Sequence, residues 1–161
     1  MSQTSFDSFT LRILIARTPA DVFRAWTVPD EIGKWFLDAF HTKDGEVQPQ
    51  DVVAEVGWNY EWTWLEGTRE EGEFTNVVAN EEVAFTFGPD CAVRVRFSEE
   101  LTRTCVEVMQ TQSHEDETKR AEWAFGCVQG WTFYLTNLKS VLENGTDLRE
   151  TQFLVPKIVN I

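Results

Sequence analysis

Between Phe6 and Arg17 apolar and polar side chains alternate, with Phe9, Leu11, Ile13 and Ile15 on one face and Thr10, Arg12 and Leu14 on the other. A period of two predicts a strand with one buried face. The alternation stops at Thr18-Pro19. Thr18 suits an N-cap, Pro19 the first helical position and Asp21 the third, so a short helix starts here and buries Val22, Phe23 and Trp26. Val28-Pro29-Asp30 breaks it, and Asp30 to Phe36 reads as a second short helix bearing Ile32, Trp35 and Phe36. From Asp38 to Gln50 the pattern is weak: Phe40 to Thr42 is compatible with a strand, and Lys43-Asp44-Gly45 is a turn signal. Asp51 to Val56 is compatible with another strand, with Gly57 as a bulge. Trp58 to Leu65 alternates clearly, Tyr60, Trp62 and Trp64 against Asn59, Glu61 and Thr63, and ends in the turn Glu66-Gly67-Thr68.

Four more strands follow at even spacing: Glu71 to Val78, Glu82 to Phe87, Cys91 to Ser98 and Thr102 to Gln112. Such a meander predicts an antiparallel sheet. Val93, Val95 and Phe97 share one face, Arg94 and Arg96 the other, and in the last strand Thr104, Val106 and Val108 oppose Cys105, Glu107 and Met109. Arg94 or Arg96 is therefore expected to pair with Glu107 on a solvated face. The period then changes to 3.6. From Ala121 to Leu142, Trp123, Cys127, Gly130, Trp131, Tyr134, Leu138 and Val141 fall along one helical stripe, widened by Leu135 and Leu142. Ser113 is the expected cap, with Asp116 three residues on, and Asn144-Gly145 is the stop signal. This helix is the one element long enough to cover the sheet. Gly130 lies on its buried stripe at a propensity cost of roughly 1 kcal/mol, which free space beneath it would explain.

Composition narrows the picture. At 161 residues the chain fits one domain. Seven Trp and twelve Phe favour a large aromatic core or an aromatic-lined pocket. A formal charge of −13 argues against nucleic acid and against anionic membranes as partners. Three unclustered cysteines, Cys91, Cys105 and Cys127, read as reduced thiols, which points to the cytoplasm. No basic-then-apolar leader opens the chain, and no apolar run approaches the roughly 20 residues that span a bilayer. There is no phosphate-binding glycine loop, no paired metal ligands and no serine-nucleophile motif, so neither cofactor nor metal is expected.

The order of strand, two short helices, curved meander and long closing helix resembles the START-like helix-grip superfamily. Within it the chain is most similar to the family related to the activator of heat-shock protein 90 ATPase, in its single-domain bacterial form. Three segments carry the likeness: Thr18 to Phe36 (TPADVFRAWTVPDEIGKWF), the pair Glu71 to Phe74 and Glu81 to Phe87, and Gly130 to Gly145 (GWTFYLTNLKSVLENG). The chain departs from the family in keeping only Gly57 of the glycine-rich turn before the third strand. The expected class is α+β: a curved antiparallel sheet wrapped around a long C-terminal helix. The expected division is a helix-grip domain over residues 1–149 and an apolar tail over 150–161. That tail is expected to pack on the body or on a second subunit.

The resemblance implies a cavity between sheet and helix. Trp35, Tyr60, Trp62, Trp64, Phe85, Val95, Trp123, Cys127, Gly130, Trp131 and Tyr134 are the residues expected to line it, with Trp35 at the mouth. The alternative is that the same rings simply fill the core. His41 and His114 have no evident catalytic partner, and the acidic runs Glu70-Glu71, Glu81-Glu82, Glu99-Glu100 and Glu115 to Glu117 read as solvated edges. The expected function is binding of a small apolar or amphipathic molecule by a monomer or homodimer, and no feature of the sequence requires catalysis. A chaperone-modulating interaction protein and a cyclase- or hydratase-type enzyme are the alternatives.

Overall fold

The structure is a computed structural model that describes residues 5–41, 49–88 and 90–161; the Lys43-Asp44-Gly45 turn signal lies outside them. Strand β1, Ser8–Ile15, alternates exposed and inward positions as expected and ends on fully buried Ile15. Helix α1, Pro19–Thr27, starts where the sequence says it should: the Thr18 hydroxyl accepts from the Asp21 backbone N–H at 3.2 Å. Helix α2 is only Pro29–Ile32, shorter than the expected run to Phe36. Beyond Ile32 the backbone tightens, with Trp35 N–H bonding three residues back to the Ile32 carbonyl. The Gly33 and Leu37 carbonyls, freed from helical pairing, accept instead from the Arg149 guanidinium at 2.9 Å each.

The meander comprises β2 (Ala39–His41), β3 (Asn59–Thr63), β4 (Arg69–Val78), β5 (Glu82–Thr86), β6 (Cys91–Glu100) and β7 (Arg103–Gln112). With β1 these form one antiparallel sheet in the order β1-β7-β6-β5-β4-β3-β2. The expected strand over Asp51 to Val56 does not form. That segment and its flanking residues find partners on different elements: Gln50 O accepts from Asp30 N, Ala54 N donates to Thr27 O, and Gly57 N donates to Phe74 O, all at 2.8 Å. Gly57 is a turn residue with φ +88°, and the bulge sits in β4 between Phe74 and Asn76.

Helix α3, Glu117–Asn144, closes the fold. Asp116 caps it, accepting from Lys119 N at 3.0 Å, whereas Ser113 is drawn away to the Asp90 carbonyl. Gly145 at φ +71° ends it. Trp131, Tyr134, Leu135 and Leu138 are buried against the sheet, and Lys139 and Glu143 tie the far end to β1 through Leu14 O and Ala16 N. The expected pairing of Arg94 or Arg96 with Glu107 is replaced by another. Glu107 pairs with Arg12 across β1 and β7 at 2.6 Å, and Arg96 pairs with Glu82 across β5 and β6 at 2.9 Å. Each β6 arginine lies opposite a β5 position as well as a β7 one, and Glu82, which also accepts from Asn76 at 2.7 Å, anchors that side.

Past Gly145 the chain forms a strap. Buried Asn137 fastens its start, donating to Asp147 Oδ1 at 3.0 Å and accepting from Leu148 N at 2.7 Å. Glu150 N donates to Asn160 O at 2.5 Å, so residues 150–160 close into a loop. Phe153, Leu154 and Val155 at its tip are exposed, while Ile158 and Ile161 are half-buried.

Candidate ligand cleft

Along the N-terminal half of α3 the helix does not close fully on the sheet. A cleft of about 840 Å³ lies between that half, the β3–β4 turn and the strap residues 157–161. Its floor is aromatic. Phe36 stacks on Trp131 with ring centroids 5.3 Å apart and meets Tyr134 and Trp64 edge-on, and Phe87 leans on Trp131 at 5.6 Å. The floor is held rigid from behind: Trp131 Nε1 donates to the Oε1 of buried Gln110 at 2.8 Å, and the Tyr134 hydroxyl donates to the Ile161 carbonyl. Burial pushes the Tyr134 phenol above its ordinary pKa, so it stays a donor at neutral pH.

Of the residues expected at the cavity, Trp64, Trp123, Cys127, Gly130, Trp131 and Tyr134 line this cleft. Trp35, Tyr60, Trp62, Phe85 and Val95 do not. All five are sealed in the core beneath it. Trp35 is not at the mouth: its indole N–H donates to Ala25 O at 2.8 Å and its ring packs on Trp26, leaving the neighbouring Phe36 to face the space. Tyr60 and Trp62 stack on each other at 3.7 Å, and the Tyr60 hydroxyl donates to the Thr86 carbonyl. Gly130 borders open space, since a Cβ built there would meet nothing within 4 Å.

Several lining groups went unread in the sequence. Phe36 and Phe87 close the expected helix and strand, and the signal for Phe87 was its place two residues after Phe85 on the same face. Glu70 is the most informative. It shares the inward face of β4 with Gly72 and Phe74, so it belongs to the cleft and not to a solvated acidic edge. The period-two register from Phe74 back through Gly72 was the signal available. One Glu70 carboxylate oxygen lies 3.8 Å from the point where a Gly88 Cβ would be, and the Trp123 ring lies 3.0 Å from that same point. Burial pushes the Glu70 carboxyl up, with no partner charge or hydrogen bond offsetting it. Glu66 and Glu122 at the rim add two further carboxylates, opposed by Lys119 and Lys157.

His114 also lines the cleft, edge-on to Trp123 at 5.9 Å and 3.9 Å from Asp90, whereas His41 sits on β2 away from it. Burial pushes the Cys91 thiol up to about 11 and raises that of Cys127 too, so both are protonated at neutral pH and pack as small apolar groups. Among the described residues no group of three or more His, Cys, Asp or Glu is placed to hold a metal ion, and no helix is long and apolar enough to cross a membrane.

With sheet, grip helix and cleft in place, the relatives can be compared. Protein SSP2350 from Staphylococcus saprophyticus superposes with a TM-score of 0.71 at 22% identity, covering 88% of this chain and 96% of its own. Protein MLL2253 from Mesorhizobium loti gives 0.70 at 18%, covering 86% and 98%. The Aha1 dimer from Colwellia psychrerythraea gives 0.66 at 19%, again covering 86% and 98%. At these identities the likeness is one of fold. No curated protein matches the chain in sequence. The profile described as activator of Hsp90 ATPase homolog 1-like protein matches residues 16–143, from the end of β1 nearly to the end of α3, and the chain belongs to that family.

Proposed function

We propose that the protein binds a small apolar or amphipathic molecule in the cleft between α3, the β3–β4 turn and the strap. The carrying observation is the cleft itself: about 840 Å³ over an aromatic floor, within the range of about 300–1,000 Å³ typical of small-molecule sites. Its floor is apolar rings, two of them, Trp131 and Tyr134, fixed by hydrogen bonds, and most of its charged groups stand at the rim, which suits retention of a ligand. Native mass spectrometry of freshly purified protein should reveal a co-purifying small molecule. Titration with an apolar fluorescent probe should show saturable binding that Gly130→Leu weakens severalfold, because the leucine would occupy free space on the cleft wall. A folded Gly130→Leu protein with unaltered probe affinity would move binding elsewhere.

A second reading, a chaperone-modulating interaction protein, is favoured by the family description and by the exposed apolar run Phe153-Leu154-Val155. It predicts that wild type, but not a Phe153→Ser/Leu154→Ser variant, stimulates the ATPase of an Hsp90-class chaperone. One fold relative is a dimer, so sedimentation of the same two proteins would also show whether this run joins two copies.

A further inference from the structure

Glu70 is the one carboxylate that β4 carries inward to the cleft. Acids elsewhere on the sheet and strap have partners: Glu82 has Arg96, Glu107 has Arg12, Asp147 has Arg149 and Asn137. Glu70 has none among the described residues; burial alone acts on it. Lys119 and Lys157 reach the cleft from its exposed rim and form no ion pair with it there. Trp64, Phe87, Trp123 and Trp131 line the same cleft, and the Trp123 ring and a Glu70 carboxylate oxygen both approach Gly88. A part-buried carboxylate without an ion-pair partner, in a cleft lined by aromatic rings, is an environment that a desolvated organic cation completes, since both the charge and the rings attract it. A neutral ligand lacking a hydrogen-bond donor would leave the carboxylate unpaired, and an anionic one would be repelled.

We propose that the natural ligand is an apolar molecule bearing an ammonium group, with the cation seated against Glu70 and Trp123 and the apolar body on the Trp131–Phe36 floor. This rests on the cleft being the binding site, as argued above. It narrows the ligand from any apolar molecule to an amine or quaternary ammonium compound. The net charge of −13 would assist approach of such a ligand, but that field acts over the whole surface, whereas Glu70 acts at one point.

The test compares benzyltrimethylammonium with its uncharged carbon isostere, neopentylbenzene, by tryptophan fluorescence at about 0.15 M salt, where long-range attraction is screened. The expected result is that wild type prefers the cation by about tenfold or more. Glu70→Gln should cut that preference severalfold or more while still binding neopentylbenzene as wild type does. Glu99→Gln makes the same change in net charge on the β6–β7 hairpin, outside the cleft, and should keep the preference. Equal affinity of wild type for the two probes overturns the cation assignment and leaves the cleft reading standing. So does equal loss of the preference in both glutamine variants. Loss of both probes by Glu70→Gln also overturns it, because Glu70 would then be shaping the cleft and not selecting charge. If wild type binds neither probe, the cleft reading itself falls and takes this assignment with it.

Discussion

On the inner face of β4, Glu70, Gly72 and Phe74 stand in succession, and each meets a different physical demand. Phe74 fills the core. Gly72 yields its side-chain space to Tyr60: a Cβ there would lie 2.6 Å from Thr86 Oγ1 and closer still to the Tyr60 hydroxyl. Gly72→Ala should therefore cost about 1–3 kcal/mol by urea denaturation, as crowding does in a packed interior; an unchanged midpoint would mean that Tyr60 swings aside freely. Glu70 works in the opposite direction. Its folded pKa lies above the unfolded one, so its penalty is absent below about pH 4 and grows as pH rises through the folded value. Glu70→Gln should then be as stable as wild type near pH 4 and more stable at pH 7. A variant less stable than wild type at pH 7 would contradict the unpaired carboxylate.

At the scale of elements, α3 shows where local pattern and tertiary setting part company. Its stripe was legible because Trp131, Tyr134, Leu135 and Leu138 recur at helical spacing, and the Thr18 and Gly145 caps were legible because both act within a few residues. What could not be read is set by distant partners. Ser113 and Asp116 are both good caps, and only the approach of the Asp90 carbonyl decides between them. Asp51 to Val56 has strand-like composition, but it and the residues flanking it bond to three different elements. In the site, the aromatic residues of β3 and Trp64 just after it were assigned to the correct face, yet a face does not say how deep: Tyr60 and Trp62 lie beneath the floor, and only Trp64 reaches the cleft. The strap residues that line it carry no periodicity at all. Gly126 and Gly130 both border open space on α3. Gly130→Ala should raise stability by roughly 1 kcal/mol through helix propensity alone, measurable as a higher denaturation midpoint. A decrease would reveal packing at that point.

For the whole molecule, acid is the informative variable. The Glu82 and Glu143 carboxyls are held low chiefly by hydrogen bonds from Arg96 and Lys139. Asp147 is a contest: burial acts to raise it, and the Arg149 side chain and backbone together with Asn137 outweigh that and bring it down. Groups whose folded pKa is depressed stabilise fully above their unfolded pKa, near 4, and that contribution disappears as pH falls through the folded values. Thermal stability should accordingly decline below about pH 4. Arg149, only 7% exposed at its side chain, also satisfies the Gly33 and Leu37 carbonyls. Arg149→Met should cost about 2–4 kcal/mol at neutral pH, since it strands two carbonyls and a carboxylate, and should shrink the acid-dependent loss. An unchanged melting temperature at pH 7 would show that the strap start is held by Asn137 alone.

The two attachments of the strap have a reciprocal meaning. Arg149 grips the carbonyls of Gly33 and Leu37, which bracket Phe36 in the chain, and Ile161 is held by Tyr134; both rings belong to the cleft floor. A molecule resting on those rings and a strap fastened around them share parts, so each must alter the equilibrium of the other by the same factor. Occupancy should therefore slow deuterium exchange at the Leu148 and Glu150 amides, which donate to Asn137 and Asn160 and do not border the cleft. Read in the other direction, a fastened strap should raise affinity for a seated molecule by that same factor, and retention becomes a property of the Arg149 fork as much as of the aromatic floor.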